Sequence, residues 1–197
     1  IGAVFAVYLL LSKEKIARQT RDLILAFCSS KRAAYLLDLG NAAHAIFSGY
    51  IGGQLLEAFC LGLLCLAGML LLGLPYALSI SVIVGFLAII PIIGTIISAL
   101  LGLILIGLAA PGKIWLFILF FFVLQRIEGD VLYPKIVGKS VGLSEIWVLA
   151  AITVGGSLAG VLGIIVSVPV ASVLAYILSA NVRQQLQQKN IIQEDNA

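Results

Sequence analysis

Residues 50–73 read YIGGQLLEAFCLGLLCLAGMLLLG, with Glu57 the one charge in an otherwise apolar run. Wound as a helix, this stretch would be about 36 Å long, enough to cross a hydrocarbon core of about 30 Å. The rest of the chain has the same character. Its 197 residues are 62% hydrophobic and 11% charged, with a mean hydropathy of +1.18. A soluble domain carries about 25% charged residues. Between residues 50 and 125 the charges are Glu57 and Lys113, and residues 146–180 carry none. A membrane barrel would need strands of about ten residues with alternating polarity. Unbroken runs rich in Leu and Ile argue instead for an all-α, polytopic helical membrane protein.

Outward from the opening stretch, residues 12–48 are polar and hold six Lys or Arg. Ile16, Leu23, Ile24 and Phe27 recur at helical spacing, as do Leu36, Leu39, Ala43 and Phe47. Each set makes an apolar stripe, which predicts two amphipathic helices broken near Ser29–Ser30. Their basic excess places them on the cytoplasmic side, where they could also bind anionic lipid heads. Residues 1–11 are apolar but reach only about 17 Å, so they are expected to be the end of a transmembrane helix that starts earlier. Residues 50–179 form the expected transmembrane domain, and residues 180–197 a polar cytoplasmic tail.

Within that domain, residues 76–109 are interrupted by Pro91 and Gly94, and residues 145–179 by Gly155, Gly156 and Gly160. Residues 112–127 are a Phe-rich helix, and residues 128–144 a polar loop. If the basic segments and the tail share one side, each interrupted segment must begin and end on the same face. That predicts two Gly/Pro-broken helical hairpins entering from opposite faces, with arms of about 20–28 Å. Broken hydrophobic segments in matching positions point to a transport site at the bilayer midplane. The alternative is that Pro91 and the glycines only kink helices or let them pack closely.

The sequence excludes several other functions. Cys28, Cys60, Cys65 and His44 stand at no metal-ligand spacing, so neither a metal nor a cofactor is expected. No P-loop, catalytic triad or intramembrane Asp pair occurs, so no catalytic residue and no enzyme is expected. The basic residues sit at membrane edges and form no nucleic-acid surface.

The stretch Gln125-Arg126-Ile127-Glu128-Gly129-Asp130-Val131-Leu132-Tyr133-Pro134-Lys135-Ile136-Val137-Gly138-Lys139-Ser140-Val141-Gly142-Leu143 resembles a signature loop of the autoinducer-2 exporter (AI-2E) family, the PerM-type permeases. Tyr50-Ile51-Gly52-Gly53-Gln54, Ile90-Pro91-Ile92-Ile93-Gly94 and the run from Gly155-Gly156 to Val168-Pro169 resemble other segments of that family in order and spacing. Two departures are Ser144-Glu145 where the family has His-Pro, and Asp130 where it often has Asn. The resemblance implies a multi-pass bacterial inner-membrane protein, a C-terminal portion of a longer chain. It further implies secondary transport without an ATPase, and homo-oligomers, a pentamer being one form. Family members are associated with export of the quorum-sensing signal autoinducer-2, or with Na⁺(Li⁺)/H⁺ antiport.

A buried membrane carboxylate is by default a functional candidate, which singles out Glu57. Gln54 lies one helical turn earlier on the same face. Snorkelling of Glu57 to the interface is the competing reading. Gln125 and Glu128 are likewise three apart and are candidates for the cytoplasmic mouth, with Asp130 beside them. The competing role for Glu128 is to brace a turn at Gly129, with Pro134 and Gly138 shaping the loop. Pro91, Gly94 and Thr95 mark the tip of the first hairpin, where freed backbone groups must find partners. A small polar solute fits this set. A monovalent cation carried by Glu57, Glu128 and Asp130 is the alternative, and an oligomeric channel or scaffold is a third reading.

Overall fold

The computed structural model describes residues 12–138 and 142–188. The expected helix end at 1–11, part of the signature loop at 139–141 and the tail from residue 189 lie outside the described residues. Among the described residues, the regular structure is entirely helical. It divides into two compact units between Ala45 and Ile46.

The first unit holds α1 (Lys13–Phe27) and the start of α2 (Ser30–Leu71). The break between them falls at Cys28–Ser29, where Cys28 turns extended after its N–H bonds Ile24 O. The stripe residues Ile16, Leu23 and Phe27 of α1 are exposed. The sequence predicts separate helices over 30–48 and 50–73, but α2 runs through both. No Pro stops it, and Gly49, Gly52 and Gly53 at the expected boundary weaken the helix without ending it.

In the second unit, α2 ends at a Schellman motif. Gly73 (φ +58) bonds back to Leu70 O, and Leu74 N–H bonds Met69 O. Only a residue free of Cβ strain takes this φ cheaply, and Pro75 then forbids further winding. Next come α3 (Ala77–Ala88) and α4 (Ile93–Ala109), two packed helices of about 18 and 26 Å, each shorter than a bilayer core. A 3₁₀ turn (Pro111–Lys113) leads into α5 (Ile114–Ile127). The Lys113 ammonium donates to Gly73 O at 2.6 Å and ties the two turns together. Ala58, Leu61, Cys65 and Met69 of α2 meet Ile80 and Val84 of α3, Ile106 of α4, and Phe117 and Phe121 of α5 in one apolar core.

The expected polar loop after α5 is instead wound through residue 138 as two π-helical turns, Glu128–Leu132 and Pro134–Gly138. Pro134 offers no N–H and would clash in α winding, so a wider turn suits it. The last element, α6 (Glu145–Gln188), is not a straight rod. Ala159 (φ −138, ψ 20) and Gly160 (φ 58, ψ −139) leave helical geometry. A Cβ on Gly163 would collide with Gly155 O, although residues eight apart in a straight helix are separated by about 12 Å. The chain therefore doubles back at Gly160. The arm after the turn runs to residue 188, past the expected end at 179. Ile152 from one arm, and Ile164 and Val168 from the other, enclose Tyr50 and Val137 in a second core.

Two stretches, Arg32–Leu71 and Ile146–Val182, are long and apolar enough to cross a membrane. The second contains the reversal at Gly160, so its two arms count separately against bilayer thickness.

Because the Gly155 and Gly163 backbones touch, Gly163→Ala should lower stability by about 1–3 kcal/mol in detergent thermal unfolding, an overpacking cost. Gly52→Ala in α2, where an added Cβ meets nothing within 4 Å, should be neutral or raise it by up to about 1 kcal/mol.

Candidate functional site: a polar cluster beside a helix break

Tyr50, Gln54 and Glu57 occupy one face of α2, and they are 0%, 4% and 1% exposed. Further along α2, the same buried face turns apolar through Leu61, Cys65 and Met69. Gln54 is the hub. Its Nε2 donates to Ala88 O at 3.0 Å and lies 3.2 Å from Glu57 Oε2. Ala88 ends α3, and carbonyls in a last helical turn have no partner within the helix. Gln54 thus satisfies an acceptor freed by the break and holds Glu57 at the same time.

The break itself is tight. Ile93 N–H bonds Pro91 O at 2.7 Å, closing a γ-turn around Ile92 (φ 65, ψ −58). For a β-branched residue that conformation costs about 1–3 kcal/mol. Gly94 follows because a Cβ there would collide with Leu87 O.

The π turns bring Glu128 and Tyr133 to the same place. Glu57 and Glu128 lie within mutual electrostatic reach, and Tyr133 lies within reach of both. Tyr50 is near enough to Tyr133 to sense it. Tyr50 Oη, Gln54 Oε1, Glu57 Oε1, Gln125 Nε2 and Glu128 Oε2 are buried without a hydrogen-bond partner in the protein. Among the described residues, no Lys or Arg reaches either carboxyl, and Arg126 lies over the Phe122 ring instead. Beside the cluster is a cavity of about 480 Å³ lined by Gln54, Ala88, Pro91, Ile92, Thr95, Ile96, Glu128, Tyr133, Leu143, Val148, Leu149 and Ile152.

Of the residues singled out in the sequence, Gln54, Pro91, Thr95 and Glu128 line this cavity. Glu57 joins it through Gln54. At 1% exposure, Glu57 does not reach out to solvent within this chain. Gly94 closes the turn behind Pro91, and Gln125 sits half-buried one turn before Glu128. Asp130 and Gly129 are exposed and contribute no wall to the cavity. Pro134 and Gly138 bound the second π turn. Gly155, Gly156 and Gly160 belong to the reversal of α6; Gly155 lines a separate apolar groove of about 470 Å³. Thr95 O accepts the Ser98 hydroxyl at 2.9 Å, which turns that side chain back on its own helix.

Sequence reasoning missed Tyr50, Tyr133 and Ile92. Tyr50 was visible as the residue one turn before Gln54, and Tyr133 lies inside the signature stretch. No pattern marks the strain at Ile92. Among the described residues, no group of three His, Cys, Asp or Glu is placed to hold a metal ion.

A buried polar cluster at a helix break, within an almost wholly apolar helical chain, is an arrangement that membrane transport proteins use. The profile of the AI-2E family transporters matches residues 3–183, and the chain belongs to that family. YrrI of Bacillus subtilis, named provisionally as a transport protein, is 33% identical over 142 residues, 72% of this chain and 39% of YrrI. The Synechocystis protein sll0063, also named provisionally as a transport protein, is 34% identical over 134 residues, 68% of this chain and 34% of sll0063. PerM of Escherichia coli K12, named provisionally as a permease, is 28% identical over 135 residues, 68% of this chain and 38% of PerM. The match thus spans between a third and two fifths of the length of these curated relatives. No solved structure matches it.

Gln54→Leu removes the donor to Ala88 O and leaves that carbonyl and Glu57 unsatisfied, so it should cost about 1–3 kcal/mol in thermal unfolding. Ile92→Gly relieves the γ-turn strain and should raise stability by about 1 kcal/mol, once the greater chain entropy of Gly is offset.

Proposed function

We propose that this protein is a multi-pass inner-membrane secondary transporter whose solute path runs through the cavity beside Gln54 and Glu128. One observation carries the reading: the strained tip of the α3–α4 pair, the buried Gln54–Glu57 pair and the π-wound Glu128 and Tyr133 all converge on one space of about 480 Å³. Polar side chains buried in an apolar helical protein, next to broken helices, are the usual makings of a transport site. In this reading α3 and α4 form a re-entrant hairpin, because both fall short of a bilayer core. The two arms of α6 form an opposed pair, of which the second is long enough to span. The exposed stripe of α1 rests on the cytoplasmic lipid surface, and the subunits assemble as a homo-oligomer, a pentamer being one form.

The solute is a small polar organic molecule, and autoinducer-2 is the first candidate because of the family. Gln54, Thr95 and backbone groups at the break offer hydrogen bonds to it, and the apolar wall leaves room for its carbon frame. A second reading, Na⁺(Li⁺)/H⁺ antiport, is favoured by one specific feature: Glu57 and Glu128 lie within electrostatic reach of each other without a cationic partner among the described residues.

Both readings are tested by flux into proteoliposomes containing the protein, using labelled autoinducer-2 and labelled Na⁺ in parallel, with and without a pH gradient. Export predicts organic-solute flux that does not depend on sodium and falls at least about tenfold in Glu128→Gln, the scale of a lost charged contact. Sodium flux coupled to the pH gradient would replace export with antiport. Equal, uncoupled leakage of both would leave a channel.

A further inference from the structure

The carboxyl pair bears on the chemical class of the solute. We infer that the cavity beside Gln54 and Glu128 is built for an organic ammonium: an amine carried on an apolar frame. This rests on the transport reading and sets an amine in place of autoinducer-2 as its solute.

Three observations converge. First, Glu57 and Glu128 lie within reach of each other, each keeps an unpartnered oxygen, and no Lys or Arg reaches either one among the described residues. Two carboxyls this close in an apolar setting either hold a proton or take a counter-charge, and a ligand can bring the counter-charge. Secondly, Gln54 is 4% exposed, has an unpartnered Oε1 and lines the cavity. Its Nε2 is already committed to Ala88 O and Glu57, so the side toward a ligand offers an acceptor. Glu128 likewise offers an acceptor, and Tyr133 adds an aromatic side chain on the same wall, a surface that cations favour. Three N–H donors of an ammonium match such an acceptor-rich corner. Thirdly, the opposite wall is apolar, formed by Ile96, Val148 and Ile152 among others, and the volume suits an organic molecule far larger than a bare metal ion. A neutral polyol would satisfy Gln54 but bring no counter-charge when the carboxyl pair ionises, and an organic anion would be repelled by the ionised pair.

The test is equilibrium binding of dansylcadaverine, a fluorescent primary alkylammonium, to the full chain in nanodiscs, read by anisotropy against empty nanodiscs. Its N-acetylated analogue is the same size but neutral. The expected result is saturable binding of the amine, with the neutral analogue at least about tenfold weaker, and a loss of about thirtyfold or more in Glu128→Gln, as when one partner of a buried charge contact is removed. Glu57→Gln should weaken binding in the same direction. Because the two probes are compared on the unaltered protein, a variant that fails to fold does not blunt the test. Equal affinity for the charged and neutral probes, no saturable binding of the amine, or full binding by a folded Glu128→Gln would overturn the inference. Flux of labelled autoinducer-2 and of the amine into proteoliposomes holding the same protein separates the two levels. Flux without amine binding removes the ammonium and keeps the transporter; amine binding with no flux of either compound removes the transport reading.

Discussion

A helix that stops leaves its last carbonyls without partners along its own backbone, and the architecture of the second unit depends on how they are met. At the end of α3, the Gln54 amide meets Ala88 O. At the end of α2, Gly73 and Leu74 turn back onto Leu70 and Met69, and Lys113 covers Gly73 O. These are side chains and turns recruited from elsewhere in the chain, so each helix end is also a tertiary contact. In the second unit Gln54, a polar side chain from an unbroken stretch of α2, is drawn to the break after Ala88, and the candidate site arises from that same need.

Two kinds of packing hold the breaks in place. The first core is built from α2 to α5, with the Phe117 and Phe121 rings 5.7 Å apart between centroids. Glycines let backbones approach where helices cross: a Cβ on Gly85 would stand 3.0 Å from Ala58 O. The second core wraps the arms of α6 around Tyr50 and Val137. The polar cluster lies between these two cores, with Tyr50 on one side and Ala58 and Leu61 on the other along α2. Apolar walls on both sides strengthen any charge interaction made between them.

Much of this was legible in the sequence. The near absence of charge announced apolar helices, Pro91 announced a break, and the spacing of Gln54 and Glu57 announced a shared face. Pairings across the chain were not legible. Nothing local in Glu128 says that it will face Glu57, because that proximity is made by the packing of α5 against α2. The winding of residues 128–138 was misjudged because polar residues with Gly129 and Pro134 look like a loop, whereas π turns tolerate both. The length of α2 was misjudged because a change from polar to apolar composition suggests a boundary, although backbone geometry needs none.

The buried face of α2 acts as a ruler with two incompatible scales engraved on it. Its first turns in the second unit, at Tyr50, Gln54 and Glu57, are keyed to polar partners. The following turns, at Leu61, Cys65 and Met69, are keyed to an apolar core. Twisting the rod to free Gln54 from Ala88 would also lift Leu61 and Met69 out of their packing, and sliding it by a turn would push Glu57 toward hydrocarbon. Turning or sliding the helix would break both sets of contacts at once, whereas Ile92, Gly160 and the π turns lie outside that double constraint.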